Sequence, residues 1–129
     1  MKFIIYGKEE FELKPFYEIE LERIENTWKE THPERVKKFK QQYLEQGFCD
    51  EDTWNLDIHL AKLILPRLKR YKELATGVIK IDFPLDEMIE AFQILHDINF
   101  DKWKLKGEKW DKVEKGLKAF AEHYFRLWW

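Results

Sequence analysis

The sequence has little cysteine, little proline and glycine, and no long apolar run. Its single cysteine, Cys49, excludes an internal disulfide and a cysteine-based zinc site. The four prolines and five glycines are scattered, and no internal repeat or low-complexity segment is present. The apolar run at residues 3–6 is too short for a signal peptide. No run approaches the roughly 18 apolar residues of a membrane span. These absences predict a reducing cytoplasm as the setting.

The chain also lacks an excess of charge of either sign. It carries 23 basic and 25 acidic residues, which give a formal net charge of −2. Charges this numerous and this well balanced are typical of solvated helix faces. A near-neutral chain does not coat nucleic acid or an acidic membrane surface. We therefore expect neither nucleic acid nor a membrane as the partner.

Aromatic residues are plentiful. They make up 16% of the chain and include six tryptophans, whereas a disordered chain would have far fewer. A length of 129 residues suits one domain with a sizeable core. The composition therefore predicts a single folded domain over residues 1–129.

Apolar residues recur at spacings of three and four, which predicts a mainly α, bundle-like domain of about five helices. Residues 3–14 alternate loosely and predict a short N-terminal β-hairpin or an extended arm that ends at Pro15. The predicted helices cover residues 17–29, 33–46, 52–76, 84–98 and 108–129.

The third helix is the longest, and we expect it to organise the core. Acidic residues crowd its start and basic residues its end, as the helix macrodipole favours. Asp52 suits the N-cap position. Pro66 does not disturb the apolar period, so we expect a kink there rather than an end. In the second helix, residues 31–34 predict a capping box, and Leu44 is expected to face inward.

The last helix carries the most regular apolar stripe, which we expect to face the core. We also expect Trp128 to dock on the domain and Trp129 to be exposed. The stripe consists of Trp110, Val113, Leu117, Phe120, Tyr124 and Leu127.

Two kinds of residue are candidates for binding. Arg67 and Arg70 lie one helical turn apart, where two guanidinium groups can clamp an anion, although cations near a helix C-terminus also simply complement its dipole. Trp54, Trp103 and Trp129 are candidate aromatic anchors for a partner. Trp103 lies in a lysine-rich loop, which would also suit a solvated connection with one anchoring side chain.

Four acids form two pairs with a spacing of three residues, Glu87 with Glu90 and Glu108 with Asp111. Each pair places two carboxylates on one helix face, and two such faces can hold Mg²⁺ against nucleotide phosphates. The pattern is similar to that of MazG-type nucleoside triphosphate pyrophosphatases, a resemblance that implies all four acids as metal ligands. The alternative is that these acids point to solvent, because their apolar neighbours mark the inward faces.

Several segments together resemble a family of small proteins encoded by tailed bacteriophages. They are DEDTWNLD at residues 50–57, ILPRLKRYKE at 64–73, DEMIEAF at 86–92 and the aromatic ending at 116–128, within a resemblance that covers about residues 48–128. The resemblance implies a phage gene product that works in the cytoplasm of a bacterial host. Small phage accessory proteins of this kind often block host enzymes or defences.

The leading interpretation is therefore a non-enzymatic phage accessory protein that binds and blocks a host protein or a nucleotide signal, without a cofactor. One alternative is a Mg²⁺-dependent nucleoside triphosphate pyrophosphatase. Another is a virion or assembly component. The near-neutral charge and the many tryptophans are also compatible with a homo-oligomer.

Overall fold

The computed structural model describes residues 2–5, 9–12, 16–98 and 101–129. The chain divides into two compact units, residues 1–54 and residues 55–129. The expectation of a single domain stays a prediction. The described residues are mainly α-helical, as the spacing of apolar residues predicted.

The first unit contains a two-stranded antiparallel sheet and three helices. Strands β1 (Lys2–Ile5) and β2 (Glu9–Glu12) pair with Phe3 opposite Phe11. The predicted end of this segment at Pro15 lies outside the described residues. The helices are α1 (Phe16–Trp28), α2 (Pro33–Gln46) and α3 (Asp50–Trp54).

A small core holds the helices of the first unit together. Ile24, Phe39, Tyr43 and Cys49 are buried in it, and Leu21 and Trp28 pack against its edge. Leu44 is exposed, so its predicted inward position was wrong. The apolar positions of α2 that reach the core are Phe39 and Tyr43, four residues apart, and Leu44 lies about 100° further round the helix than Tyr43.

Different residues determine where α2 begins and where it ends. Pro33 occupies the first turn, where its missing N–H loses no helical bond. The predicted capping box was wrong, because His32 is the N-cap residue and makes no side-chain cap bond. At the other end Gly47 adopts φ 81°, a left-handed conformation that glycine reaches without strain, and its N–H donates to the Tyr43 carbonyl.

The predicted third helix is in fact two helices. After α3 the backbone leaves the helical region at Asn55 (φ −129°, ψ 60°), and α4 (Leu56–Ala75) begins directly after it. Asparagine favours such N-cap positions, and the unbroken apolar period concealed the break. The prediction that Pro66 does not end the helix is confirmed, because α4 continues through it.

The second unit is built from α4, α5 (Leu85–Ile98) and α6 (Glu108–Glu122), with 3₁₀ turns at Lys102–Lys104 and Tyr124–Arg126. The last helix therefore ends at Glu122 rather than at the C-terminus. The three helices enclose one apolar core, and its buried members are Ala61, Leu65, Leu68, Phe83, Leu85, Met88, Phe92 and Ala119.

Helices α5 and α6 approach closely at Gly116. A Cβ atom placed there would lie 2.3 Å from the Ala91 Cβ and 2.5 Å from the Glu87 carbonyl oxygen. Only a residue without a side chain fits this crossing. The contact turns the Gly116–Ala119 side of α6 toward α5, and both residues are buried.

This orientation overturns part of the predicted inward stripe. Val113 is buried and Phe120 packs against the core, as predicted. Trp110, Leu117 and Tyr124 are exposed instead. Within α6 the predicted stripe spans two adjacent faces, of which the one with Val113 and Phe120 is turned inward, and its last two residues lie beyond the helix end.

Candidate partner-binding surface

A series of aromatic rings runs from the core of the second unit to its surface. Buried Phe92 meets Phe120 edge to face at 5.2 Å between ring centroids. Phe120 meets Tyr124 at 5.7 Å, and Tyr124 meets Phe125 at 5.4 Å, again edge to face. Phe125 is 90% exposed. Edge-to-face contacts are favourable beyond simple burial, so the series supports an exposed ring from beneath.

The backbone after Phe125 is held against α4. The Tyr71 hydroxyl lies 3.2 Å from the Arg126 carbonyl oxygen and 3.1 Å from the Trp128 carbonyl oxygen, and it can donate to either. The Arg126 guanidinium pairs with Asp82 and lies 5.0 Å from the centroid of the Phe83 ring. These contacts fix the main chain up to Trp128.

The side chains of this fixed segment nevertheless face outward. Trp128 is 65% exposed and Trp129 is 58% exposed. The expectation that Trp128 docks was wrong, because its backbone is held and its ring is not buried. We call Phe125, Trp128 and Trp129 the C-terminal aromatic surface. Large aromatic side chains of this kind are enriched where proteins meet.

Trp54 belongs to the first unit and lies at the end of α3. Its ring meets Trp28 at 6.1 Å and Phe39 at 5.7 Å, both edge to face. The Arg35 guanidinium lies 5.6 Å from the Trp54 ring centroid and 4.8 Å from that of Trp28. The exposed Trp54 therefore already has a cationic neighbour within its own unit.

Trp103 is exposed in the 3₁₀ turn that precedes α6. The Lys104 ammonium lies 5.4 Å from its ring centroid. Lys102 pairs with Asp57 at 3.0 Å, which joins this turn to the start of α4. The Lys102–Asp57 pair thus anchors the loop, while the Trp103 indole stays exposed. A binding role for Trp103 stays a prediction.

Arg67 and Arg70 lie on the exposed side of α4 and make separate contacts. The Arg67 guanidinium donates to the Leu63 carbonyl at 2.7 Å. This carbonyl lies in the helical turn before Pro66. Proline has no N–H to donate to that turn, and its ring crowds the carbonyl groups there. Arg70 pairs with Glu73 at 2.7 Å. The two guanidinium groups therefore share no contact, and their predicted role as an anion clamp stays untested.

The four acids of the metal hypothesis lie on the facing helices α5 and α6, but lysines occupy the space beside them. Lys112 pairs with Glu90 at 3.1 Å and with Glu108 at 3.4 Å. These two hydrogen-bonded carboxylates raise the pKa of Lys112 above its usual value. Lys115 pairs with Glu87 at 3.1 Å, and Asp111 is exposed.

No group of three or more metal-binding side chains comes together within the described part of the chain. The Mg²⁺ alternative therefore has no further support from the position of these acids.

A partly buried polar network in the first unit was not foreseen from the sequence. Arg23 donates to Glu20 at 2.8 Å and to Glu51 at 2.5 Å. Partial burial opposes its charged form, but these hydrogen bonds outweigh burial and hold the pKa of Arg23 above its usual value. Burial, followed by the 2.5 Å hydrogen bond to Asp52, raises the pKa of Tyr43.

The same network explains the role of Asp52. Its carboxylate accepts from the Cys49 backbone N–H at 3.1 Å, so the acid in the first turn of α3 caps the residue before it. Asp52 was expected to be the N-cap residue that precedes a helix. It lies instead within the first turn of α3, where it accepts from the N–H of the preceding Cys49, and it is buried.

A groove of about 500 Å³ lies between the end of α4 and the start of α5. The Lys72–Asp86 pair, at 2.6 Å, stands beside it, and Ile79, Ile81 and Phe83 contribute apolar walls. Neither Arg67 nor Arg70 lines this groove. The predicted arginines and the observed groove are therefore separate features.

Comparison of the chain with protein-family models, with curated proteins and with solved structures finds no match. Among the described residues, no helix is both long enough and apolar enough to cross a membrane.

Proposed function

We propose that this chain is a phage-encoded, non-enzymatic accessory protein that binds a host protein and blocks it by occupying its surface. The proposed partner contact is the C-terminal aromatic surface formed by Phe125, Trp128 and Trp129. The phage origin follows from the resemblance over residues 48–128, and the host cytoplasm is the proposed place of action.

The observation that carries this proposal is the combination of a fixed backbone with exposed rings. Tyr71 and Asp82 hold the segment, yet the rings of the C-terminal aromatic surface remain largely exposed. A backbone that is held in place before binding loses less conformational freedom when a partner covers its side chains. Tryptophan is also among the residues that most often dominate binding energy.

A protein partner suits this surface better than a nucleotide does. The exposed groups are apolar rings, whereas a nucleotide signal needs cations that converge on its phosphates. The two arginines proposed for that task point to different contacts, the Leu63 carbonyl and the Glu73 carboxylate. We therefore assign the main partner contact to the aromatic residues. Variants of Arg67 and Arg70 then serve as the control in the binding experiment.

The test is capture from a host lysate followed by reconstitution with the purified captured protein. The wild type is compared with a variant carrying Phe125→Ser, Trp128→Ser and Trp129→Ser. The matched control carries Arg67→Ala and Arg70→Ala. We expect the wild type and the arginine variant to retain the same host protein and the aromatic variant to lose it, with affinity reduced at least tenfold. Titration should reduce the activity of the host protein and reach a plateau at one equivalent.

Three results would overturn the proposal. The first is equal capture by the aromatic variant when circular dichroism shows that it is folded. The second is capture without any effect on the activity of the captured protein. The third is a Mg²⁺-dependent thermal shift with a nucleoside triphosphate accompanied by its hydrolysis, which would favour the enzyme. Recovery of the chain in purified phage particles would instead favour the virion component.

A further inference from the structure

The outward side of α6, with the 3₁₀ turn that follows it, carries partly exposed apolar side chains. Trp110, Leu117 and Tyr124 are 47%, 38% and 54% exposed, and Ala121 is exposed between the last two. We call these four residues the outer stripe. Tyr124 contacts Phe125 of the C-terminal aromatic surface, whereas Trp110, Leu117 and Ala121 belong to α6, so the two surfaces are adjacent.

The outer stripe has the spacing of a helix-pairing surface. Trp110 and Leu117 are separated by seven residues, which keeps them on one side of α6 over two turns, and Tyr124 follows at the same interval in the 3₁₀ turn after the helix ends at Glu122. Val113 and Gly116 on the neighbouring face are buried against the rest of the unit. The stripe is therefore presented from a helix whose rotation is already fixed.

The arrangement is also symmetric about its centre. Leu117 lies midway between two aromatic residues, with seven positions to Trp110 and seven to Tyr124. An antiparallel second copy with its two-fold axis at Leu117 would place each Trp110 near the C-terminal end of the other copy's α6, where Tyr124 follows. Such self-complementarity is what a two-fold interface requires. We propose that the outer stripe is the interface of an antiparallel homodimer.

The charges beside the stripe suit the same partner. Glu114 and Lys118 pair along α6 at 3.3 Å, and both are largely exposed. In the antiparallel arrangement, Glu114 of one copy lies within about one turn of Lys118 of the other. The net charge of −2 adds little repulsion between copies. A second copy thus meets both the apolar and the charged parts of the surface.

The area of the stripe predicts a weak dimer. With aromatic side chains of about 150–250 Å² each, the exposed parts add up to roughly 300 Å² per copy. Two copies and a polar rim then bury on the order of 1,000 Å², at the lower end of specific interfaces. We therefore expect dimerisation that depends on concentration, with a dissociation constant in the micromolar range. This corresponds to a free energy of dissociation of about 8 kcal/mol.

The first test is sedimentation equilibrium of the full chain from about 1 µM to about 1 mM. The mass should rise from 16.0 kDa toward twice that value. Leu117→Glu should keep the mass at that of the monomer over the whole range. Lys109→Gln makes the same change in net charge on the same helix and should dimerise as the wild type does. Circular dichroism shows whether each variant is folded.

The second test uses the symmetry and does not depend on Leu117→Glu folding. Cys49 is buried, so an engineered thiol would be the accessible one. Leu117→Cys lies on the proposed axis and should form a disulfide with its own copy under mild oxidation. Lys115→Cys, on the side of α6 away from the stripe, should not. A wild type that stays monomeric throughout, a dimer that persists in Leu117→Glu, or equal cross-linking at both positions would overturn the proposal.

Discussion

Cys49 illustrates how a single residue can be fixed by its surroundings. Its thiol is fully buried beside Tyr43 and Asp52, and burial raises its pKa to about 11. A thiol that stays protonated is neither a nucleophile nor a metal ligand. The position of Cys49 at the start of α3 therefore does not make it reactive.

The raised pKa predicts a loss of stability in alkaline solution. Below pH 9 the thiol is protonated in both folded and unfolded chains, so its contribution is complete. Between about pH 9 and pH 11 only the unfolded chain loses the proton, which favours unfolding by on the order of 2 kcal/mol. Urea unfolding at a series of pH values should show this decline. Cys49→Ser should flatten part of it, with the part due to Tyr43 remaining.

A direct control uses a thiol reagent at pH 8. Cys49 should react at the rate of unfolding in the native protein and immediately in denaturant. Rapid reaction in the native protein would mean that the thiol is accessible, which would contradict the structure.

At the scale of elements, the α5–α6 crossing depends on the absence of a side chain at position 116. Gly116→Ala gains helix propensity worth about 1 kcal/mol but places a methyl group in contact with Ala91 and the Glu87 carbonyl. We expect a net loss of about 1–3 kcal/mol in the free energy of unfolding, measured by chemical denaturation.

Two further variants test the cause of that loss. Combining Gly116→Ala with Ala91→Gly should cost less than the two single changes together, because it removes one of the two clashes. Lys115→Ala, one residue away and exposed, should change stability by less than about 0.5 kcal/mol. A stabilised Gly116→Ala variant would show that the helices do not cross this closely.

The same crossing shows how far the sequence could predict this protein. The spacing of apolar residues located the helices, and α2 was placed at its observed bounds, residues 33–46. Spacing could not reveal which of two adjacent faces of α6 packs inward, because Gly116 and Ala119 carry almost no apolar signal. It could not reveal the break at Asn55 either, since the apolar period continues across it.

The candidate binding surface was predictable only in part. Exposure of Trp129 was expected, and exposure of Trp128 was not. The contact that explains Trp128 joins its carbonyl to Tyr71, 57 residues earlier in the chain. The partners of Arg23 likewise include Glu51, 28 residues later. Such contacts depend on tertiary packing, which no local pattern encodes.

At the scale of the whole molecule, the described residues form two apolar cores, one in each compact unit. One consists of Ile24, Phe39, Tyr43 and Cys49, and the other is formed by residues of α4–α6 and the segment before α5. Each core is built from residues of its own compact unit. A change in one core should therefore act first on its own unit.

Hydrogen–deuterium exchange can test this separation. Phe39→Ala should remove about 3–5 kcal/mol and increase exchange mainly within residues 16–54. Phe92→Ala should act mainly within residues 56–122. Phe125→Ala removes an exposed ring and should leave exchange in both ranges almost unchanged. Equal acceleration of exchange in both ranges by either core variant would show that the units unfold together.

The division of α6 into a packed face and an outer stripe has a consequence for how such a gene can change. Val113 and Gly116 are buried, and Gly116 lies against α5, while Trp110 and Leu117 are exposed. Mutations at the outer positions therefore alter what the helix presents without disturbing folding. A lineage can therefore gain, lose or change the pairing between copies through this helix while the scaffold beneath it is inherited intact.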